Sequence, residues 1–337
     1  ETDSPAEVPV GCTLITSVFR SDPFIRGFIN NSLALVGYDR LIDHVFLVSN
    51  ASEIEVTVLG NLLARKPNVL VLWHQTDPGL YQCWNLGIRL ARRSYVSNAN
   101  VDDLRDPMQV LTLIRDLEMH PEACVAATAM NPFYDYPEDG RLPEERAAWY
   151  SDQAGTFGFF DIARLSNGNP PTLIPHNMPH CMPVWRRSLH DRYGWFEELD
   201  YGTYADWDFW LKVLQDGAVG WMERAPLSFY FVNPDSHNRR GTDLERLHRV
   251  VEDEYLGAFL ARENDAPSFT SRSMPHPVRK LNLTGRDQAF GQHRNDFTRL
   301  ITDLDPLDRG DGLGCRVIPF LERYFVWGDG PGEANSG

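Results

Sequence analysis

Lysine is nearly absent. Lys66, Lys212 and Lys280 are the only three in 337 residues, and 32 basic against 47 acidic residues leave a formal net charge of −15. That balance excludes binding along a nucleic-acid backbone, which needs concentrated positive charge, but leaves room for a local basic pocket. Cysteine is scarce as well. Cys12, Cys83, Cys124, Cys181 and Cys315 are odd in number, far apart and never spaced as CxxC. A disulfide framework and a zinc ribbon are therefore excluded, and a reducing compartment such as the cytoplasm is expected. No apolar run approaches the roughly 20 residues that span a bilayer. No Gly-x-Gly-x-x-Gly follows the first strand and no Walker A sequence occurs, so dinucleotide-cofactor and P-loop readings lose support. The chain starts at Glu1 rather than Met; it reads as a trimmed piece, with a targeting segment or further domain upstream left open.

What is present is enough for a sizeable core: 42% hydrophobic and 12% aromatic residues. Residues 1–10 read as a disordered lead-in. Cys12 to Phe19 is rich in β-branched residues and predicts a buried strand. Asp22-Pro23 suggests the cap and first position of a helix. Val45 to Val48, Val69 to Trp73, Ser94 to Val96 and Ala123 to Met130 predict further strands. Helical patterns separate them: one from Phe24, one reaching to about Lys66, one over Gly79 to Arg93 and one over Met108 to Met119. In the third, Tyr81, Trp84, Leu86, Ile88 and Leu90 face mostly inward. Strand and helix in alternation predict a parallel sheet with right-handed crossovers.

Farther on the periodicity fades. The stretch 131–179 is rich in Pro, Gly and Asn and reads as loops of the kind that carry substrate contacts. His176 and His180 are four apart with Cys181 beside them, but Pro175, Pro179 and Pro183 forbid the helix a zinc site would use. In TYADWDFWLKVLQDG, Trp207, Trp210, Leu211 and Leu214 make an apolar helix face, and Gly217 closes the helix. Asp208 and Lys212 are expected as a solvated pair on the outer face. Val219 to Met222 and Leu227 to Val232 predict two strands, and Thr242 to Arg262 a long helix. Beyond 263 little is periodic: Asp296 to Leu304 suggests a helix, Cys315 to Tyr324 is strongly apolar, and Gly328 to Gly337 reads as a linker.

Two places carry chemistry. In YVSNANVDDLRDP, Asn98, Asn100, Asp102 and Asp103 follow a short strand directly, and Asp106-Pro107 suggests the start of the next helix. In open α/β sheets ligands bind at the carboxyl ends of strands. Paired carboxylates there suit a hard cation, Mg²⁺ or Mn²⁺, able to clamp a diphosphate. The same residues would also make a solvated acidic turn. Asp206 stands in the first turn of the later helix, where a carboxylate meets amide donors; capping alone would explain it equally.

Taken together, these stretches resemble the inverting family 2 glycosyltransferases of the GT-A fold, in their bacterial, non-processive branch. The likeness covers roughly residues 11–240. It is carried by the first strand with its TSVF end, W-N-L-G-I-x-x-A within 81–95, N-A-N-V-D-D, and V-W-R-R-S-L-H-D-R-Y-G-W-F-E-E followed by Y-A-D-W-D-F-W-L-K. The resemblance implies a mostly parallel, Rossmann-like α/β sheet flanked by helices. It divides the chain into a nucleotide-binding half at 11–130, an acceptor-binding half at 131–240 and a C-terminal helical or irregular extension at 241–337 leading to a further domain. It implies transfer of one sugar from a nucleotide sugar, a UDP-sugar first, to a glycan or lipid-linked saccharide in polysaccharide biosynthesis, with peripheral membrane contact left open.

It also implies roles. Asp206 is the general base. Asp102 is the main ligand of Mn²⁺ or Mg²⁺, Asp103 a second or outer acid, and His237 a further metal or diphosphate ligand. Thr16 and Val18 line the nucleotide pocket, Asn50 and Ser52 approach the base or ribose, and Asn85 and Asn100 complete the donor site. Two departures stand out: Asn100 replaces the first acid of the usual metal motif, and Ser49 or Asn50 replaces the acid that commonly reads uracil. A Gln-x-x-Arg-Trp signature of processive synthases is missing. Two rivals remain: a nucleotidyltransferase making a nucleotide sugar, and a catalytically inactive carbohydrate-binding subunit.

Overall fold

A computed structural model describes residues 10–144, 157–160, 179, 182–232 and 255, and the backbone of 317–320 and 323–327. Strand and helix alternate as the sequence predicts. β1 (Cys12–Val18) is followed by α1 (Ile25–Leu33), the short α2 (Tyr38–Leu41), β2 (Ile42–Ser49), α3 (Glu53–Leu63), β3 (Val69–His74), α4 (Leu80–Leu90) and β4 (Tyr95–Asn98). β1 lies between β2 and β4, parallel to both, with β3 parallel on the far side of β2. A strand covered on both faces is mostly apolar, and β1 is buried along its length except at half-exposed Ser17, with Thr13 and Thr16 its buried polar members.

The two-residue period of a strand sorts side chains between two cores. Ile15, Val45, Leu47, Leu70 and Leu72 meet Tyr81, Trp84 and Leu86 of α4. Leu14, Val18, Phe46, Val48 and Val71 face the other side. Register places Ile15 beside Val45 and Val45 beside Leu70, so one row of branched chains crosses the sheet beneath α4. α4 lies close over that row because Gly87 has no side chain: a Cβ there would stand 2.3 Å from Ile15 Cγ2.

The second half contributes β5 (Leu104–Arg105), α5 (Gln109–Met119), β6 (Ala123–Phe133), β7 (Gly158–Phe160), β8 (Val184–Arg186), α6 (Leu189–Tyr193), α7 (Glu198–Tyr201), a tight turn at Gly202–Tyr204, α8 (Ala205–Gln215) and β9 (Val219–Phe231). β8 runs antiparallel to both β4 and β6 and joins the two halves. β9 runs parallel to β6 and antiparallel to β5 and β7. At the opposite edge β10 (Val317–Phe320) and β11 (Arg323–Trp327) form a hairpin whose second strand pairs antiparallel with β3. Among the described residues the strands form one mixed, mainly parallel-cored sheet of 11 with helices on it.

Several expectations change. Asp22-Pro23 sits in a turn, and α1 begins at Ile25, because the Ser21 carbonyl accepts from both Phe24 and Ile25 amides at 2.8 Å. α5 likewise begins at Gln109: Asp106 Oδ1 closes the preceding turn by accepting from Met108 N at 3.0 Å. The two strands expected over 219–232 are one, with a register shift opposite Thr128 to Met130. Pro226 removes a donor there, and Asn131 Nδ2 bridges the irregularity by donating to the Pro226 carbonyl at 2.8 Å. Of the apolar stretch 315–324, residues 317–320 and 323–324 belong to the edge strands β10 and β11. His176, His180, Cys181 and the expected helix over 296–304 lie outside the described residues, as does the helix over 242–262 except for buried, helical Tyr255.

α8 buries Trp207, Trp210, Leu211 and Leu214, as its stripe predicts. Each such side chain contributes roughly 1.5–3 kcal/mol on leaving water. Gly217, just past the end, adopts φ +90°. Asp208 corrects the solvated-pair expectation. It is completely buried: Tyr255 Oη donates to its Oδ1 at 2.6 Å, and Lys212 Nζ stands 3.6 Å from Oδ2. Among the described residues no helix is long and apolar enough to cross a membrane.

Candidate active site at the carboxyl edge of the sheet

Because β1 to β4 are parallel, their carboxyl ends lie on one edge. The acid loop leaves that edge after Asn98. Asp103 is buried and both its oxygens accept: Oδ1 from Phe231 N and Oδ2 from Asn100 Nδ2, each at 3.1 Å. Asp102 beside it is partly exposed. Burial raises the pKa of both carboxyls, and the charge of Asp102 raises Asp103 further. Tyr136 closes over the loop, with Oη 3.2 Å from the Val101 carbonyl.

Behind the acids lies a buried cation that the sequence reading did not single out. Arg105 donates to Ser97 Oγ at 2.9 Å and to Asn98 O and Gln109 Oε1 at 2.5 Å. Its backbone is bracketed by the Asn31 amide, which accepts from Arg105 N at 2.9 Å and donates to Arg105 O at 3.0 Å. The loop is thus fastened to α1, β4 and α5. The Arg105 charge offsets part of the rise at Asp103.

Asp206 reaches the same edge by another route. α4 connects parallel strands β3 and β4, so it runs back against them and its first turn stands at their carboxyl ends. Tyr81 is in that turn. Its Oη lies 2.9 Å from Asp206 Oδ1 and 2.9 Å from the Thr203 carbonyl, and Trp207 N donates to the same Oδ1 at 2.8 Å. The phenol ring is buried against Trp84 and Phe196, with centroids at 4.9 and 5.6 Å. Glu198 secures the start of α4: its Oε2 accepts from Gln82 N at 3.2 Å, and burial raises its pKa while the α4 amides lower it.

The other expected donor-site residues are placed as follows. Thr16 is buried with Oγ1 2.8 Å from His44 Nε2, and Val18 is fully buried in the core; neither side chain lines an open pocket. Ser52 caps α3 by accepting from Glu55 N at 3.1 Å and donates to Asp22. Asn50 is exposed beside it, with a left-handed φ of 50°. Asn85 uses both ends of its amide on Phe196, donating to its carbonyl at 2.9 Å and accepting from its amide at 3.0 Å. It thereby holds the segment that leads to α7 and α8. His237 lies outside the described residues, in the segment that follows β9; Phe231, near the end of that strand, is tied to Asp103.

The structure therefore groups Asn100, Asp102 and Asp103, brings Asp206 to the same edge, and adds Tyr81, Tyr136, Arg105 and Glu198. Tyr81 was legible only as an inward-facing residue of its helix, and Arg105 and Glu198 only as members of the quoted stretches. Among the described residues no three His, Cys, Asp or Glu side chains converge on a metal position. The donor set is two adjacent, charge-stressed carboxyls and an amide, all hard oxygens. Mg²⁺ and Mn²⁺ use one or two carboxylates and complete their shells with phosphate oxygens or water. The residues present fit such an ion.

The profile described as Glycosyl transferase family 2 matches residues 13–193. The chain is similar to a Bacillus subtilis (strain 168) protein described as uncharacterized glycosyltransferase YwdF, 24% identical over 260 residues that make up 74% of this chain and 81% of the other. Its fold is similar to that of the 1–349 fragment of S. aureus TarS in complex with UDP-GlcNAc. The TM-score is 0.55 at 14% identity, over 75% of this chain and 72% of that one. Against another S. aureus TarS structure the TM-score is also 0.55, at 15% identity, over 94% of this chain and 60% of that one.

Proposed function

The chain belongs to glycosyl transferase family 2, and from that premise we propose that it moves a single sugar from a nucleotide sugar to a hydroxyl acceptor with inversion at the anomeric carbon. Inverting transfer is one in-line displacement. It needs a base on the acceptor hydroxyl and opposing charge at the departing diphosphate. Asp206 is the base. Its Oδ1 is held by Tyr81 and Trp207, which fixes the carboxylate in place. The acceptor proton passes to Asp206 as the hydroxyl oxygen forms its bond to the anomeric carbon and the bond to the diphosphate breaks. Asp102 would hold Mn²⁺ or Mg²⁺, with Asp103 and Asn100 behind it, and the ion would supply positive charge against the diphosphate. Arg105 keeps the acid loop in place from within the fold.

One observation carries this reading: Asp206, through Tyr81 at the start of α4, stands on the sheet edge where Asp102 and Asp103 emerge. A UDP-sugar is the first donor to try, since a solved structure of the same fold holds UDP-GlcNAc. The acceptor is proposed to be a glycan or lipid-linked saccharide. The test is a thermal-shift screen of UDP, GDP, CDP and dTDP sugars with and without Mn²⁺. A true donor raises Tm through binding linkage, more so with the metal, and its turnover releases nucleoside diphosphate. No shift and no turnover with any of the four would contradict the reading. Release of pyrophosphate would point to nucleotidyl transfer instead.

A further inference from the structure

We infer that Tyr81 is the positioning residue of the base: its phenol keeps Asp206 ionised and oriented, and the Thr203 carbonyl keeps the phenol in place. The inference rests on the role of Asp206 proposed above and assigns a group that tunes its basicity.

A phenol has one proton to give. The Tyr81 oxygen lies at the same 2.9 Å from two oxygens, Asp206 Oδ1 and the carbonyl of Thr203. It cannot donate to both at once. A charged acceptor makes the stronger bond, so with Asp206 ionised the proton points at the carboxylate. Trp207 N–H meets the same oxygen at 2.8 Å. Two donors on one oxygen stabilise the charged form and fix the plane of the carboxyl group. Once Asp206 has taken a proton, the two acceptors of the phenol are nearly alike. Tyr81 then turns its proton toward Thr203 without leaving a buried donor unmet. The base is held in the same place before and after proton transfer.

The surroundings support this. Tyr81 is 4% exposed, and its ring is clamped by Trp84 and Phe196. Among the described residues, the pair has Glu198 of α7 at the α4 amides, and Asp208 with Lys212 further along α8, where Tyr255 also contacts Asp208. Burial first, and then the charge of Asp206, push the Tyr81 phenol well above its ordinary range. It therefore stays protonated and acts only as a neutral donor. A hydrogen bond to the charged form lowers a carboxyl pKa, so removing it raises that pKa.

Tyr81→Phe removes the hydroxyl and keeps the ring. With whichever of the UDP, GDP, CDP or dTDP sugars wild type turns over, the acidic limb of kcat should move to higher pH. Its kcat near neutrality should fall roughly 10- to 100-fold, with donor Kd unchanged. In an Asp206→Asn background the same change should have no further effect. Placing 3-fluorotyrosine at position 81, a stronger donor of the same shape, should move the limb the other way; this arm decides the matter should the Phe variant not fold. An unmoved limb in either folded variant, or an equal loss with and without Asp206, would overturn the inference while leaving Asp206 as the base. Full turnover by Asp206→Asn, or none by wild type, would overturn the underlying reading and the inference with it.

Discussion

The two acidic places at the sheet edge differ in what surrounds them. Asp102 and Asp103 stand side by side, buried enough that their carboxyls are pushed up, and the amide of Asn100 rather than an opposing charge touches Asp103. Asp206 takes two neutral donors, the Tyr81 hydroxyl and the Trp207 amide, on one oxygen. Crowded like charge favours whatever brings positive charge, a cation or a proton. Neutral donors on a carboxylate favour its charged form, the form that can accept a proton from a hydroxyl. In our proposal the first place holds the metal and the second acts as base. Asp208, two positions beyond Asp206, shows that helix position alone does not make the difference. It is buried under Tyr255, and its charge is spent within the fold.

The contrast can be broken in order of expected effect. Asp206→Asn should lower turnover by about 10²- to 10⁴-fold, the usual contribution of a general base, with donor affinity retained; steady-state kinetics with the identified donor check it. Asp208→Ala should instead act on stability. It strips Lys212 and Tyr255 of a buried partner and should cost about 3 kcal/mol in urea unfolding. Asp103→Asn should weaken Mn²⁺ binding about 10- to 100-fold, as loss of an outer partner of a metal ligand does; titration of Mn²⁺ in the presence of UDP reads this directly.

A further effect, on pH-dependent stability alone, lies away from the acidic places. Burial, and then Arg105, lower the pKa of His44 from 6.5 to about 3. Between those values the unfolded chain binds a proton that the folded chain refuses. Stability from this group is therefore present above pH 6.5 and is lost as pH falls toward 3, at up to about 1.4 kcal/mol per unit. His44→Gln should flatten that slope in pH-dependent unfolding. An unchanged slope would contradict it.

Much of the scaffold was legible. The branched run of β1 announced a strand buried on both faces, and the Trp207, Trp210, Leu211 and Leu214 stripe announced the inner face of α8. Asp-Pro pairs misplaced two helix starts, because each Asp, or the residue before it, completes a turn ahead of the helix. The two strands expected over 219–232 are one because Asn131, from another strand, bridges the irregularity at Pro226. Asp208 was misread because an angle on a helix gives direction, not cover; the covering Tyr255 lies 47 residues on. The acids at 102, 103 and 206 could be picked out by type and place. The partner of Asp206 could not: Tyr81 is 125 residues away, and no spacing rule joins them. Asn85 was legible as a residue of note, yet its work in the structure is to hold the Phe196 backbone.

The division of labour between the two acidic places is tested most directly by calorimetric titration of UDP, with and without Mn²⁺, into wild type, Asp102→Ala and Asp206→Asn. The proposal predicts Mn²⁺-dependent binding by wild type, the same binding by Asp206→Asn and loss of the Mn²⁺ dependence in Asp102→Ala. Metal-dependent binding that survives in Asp102→Ala, or disappears in Asp206→Asn, would contradict it.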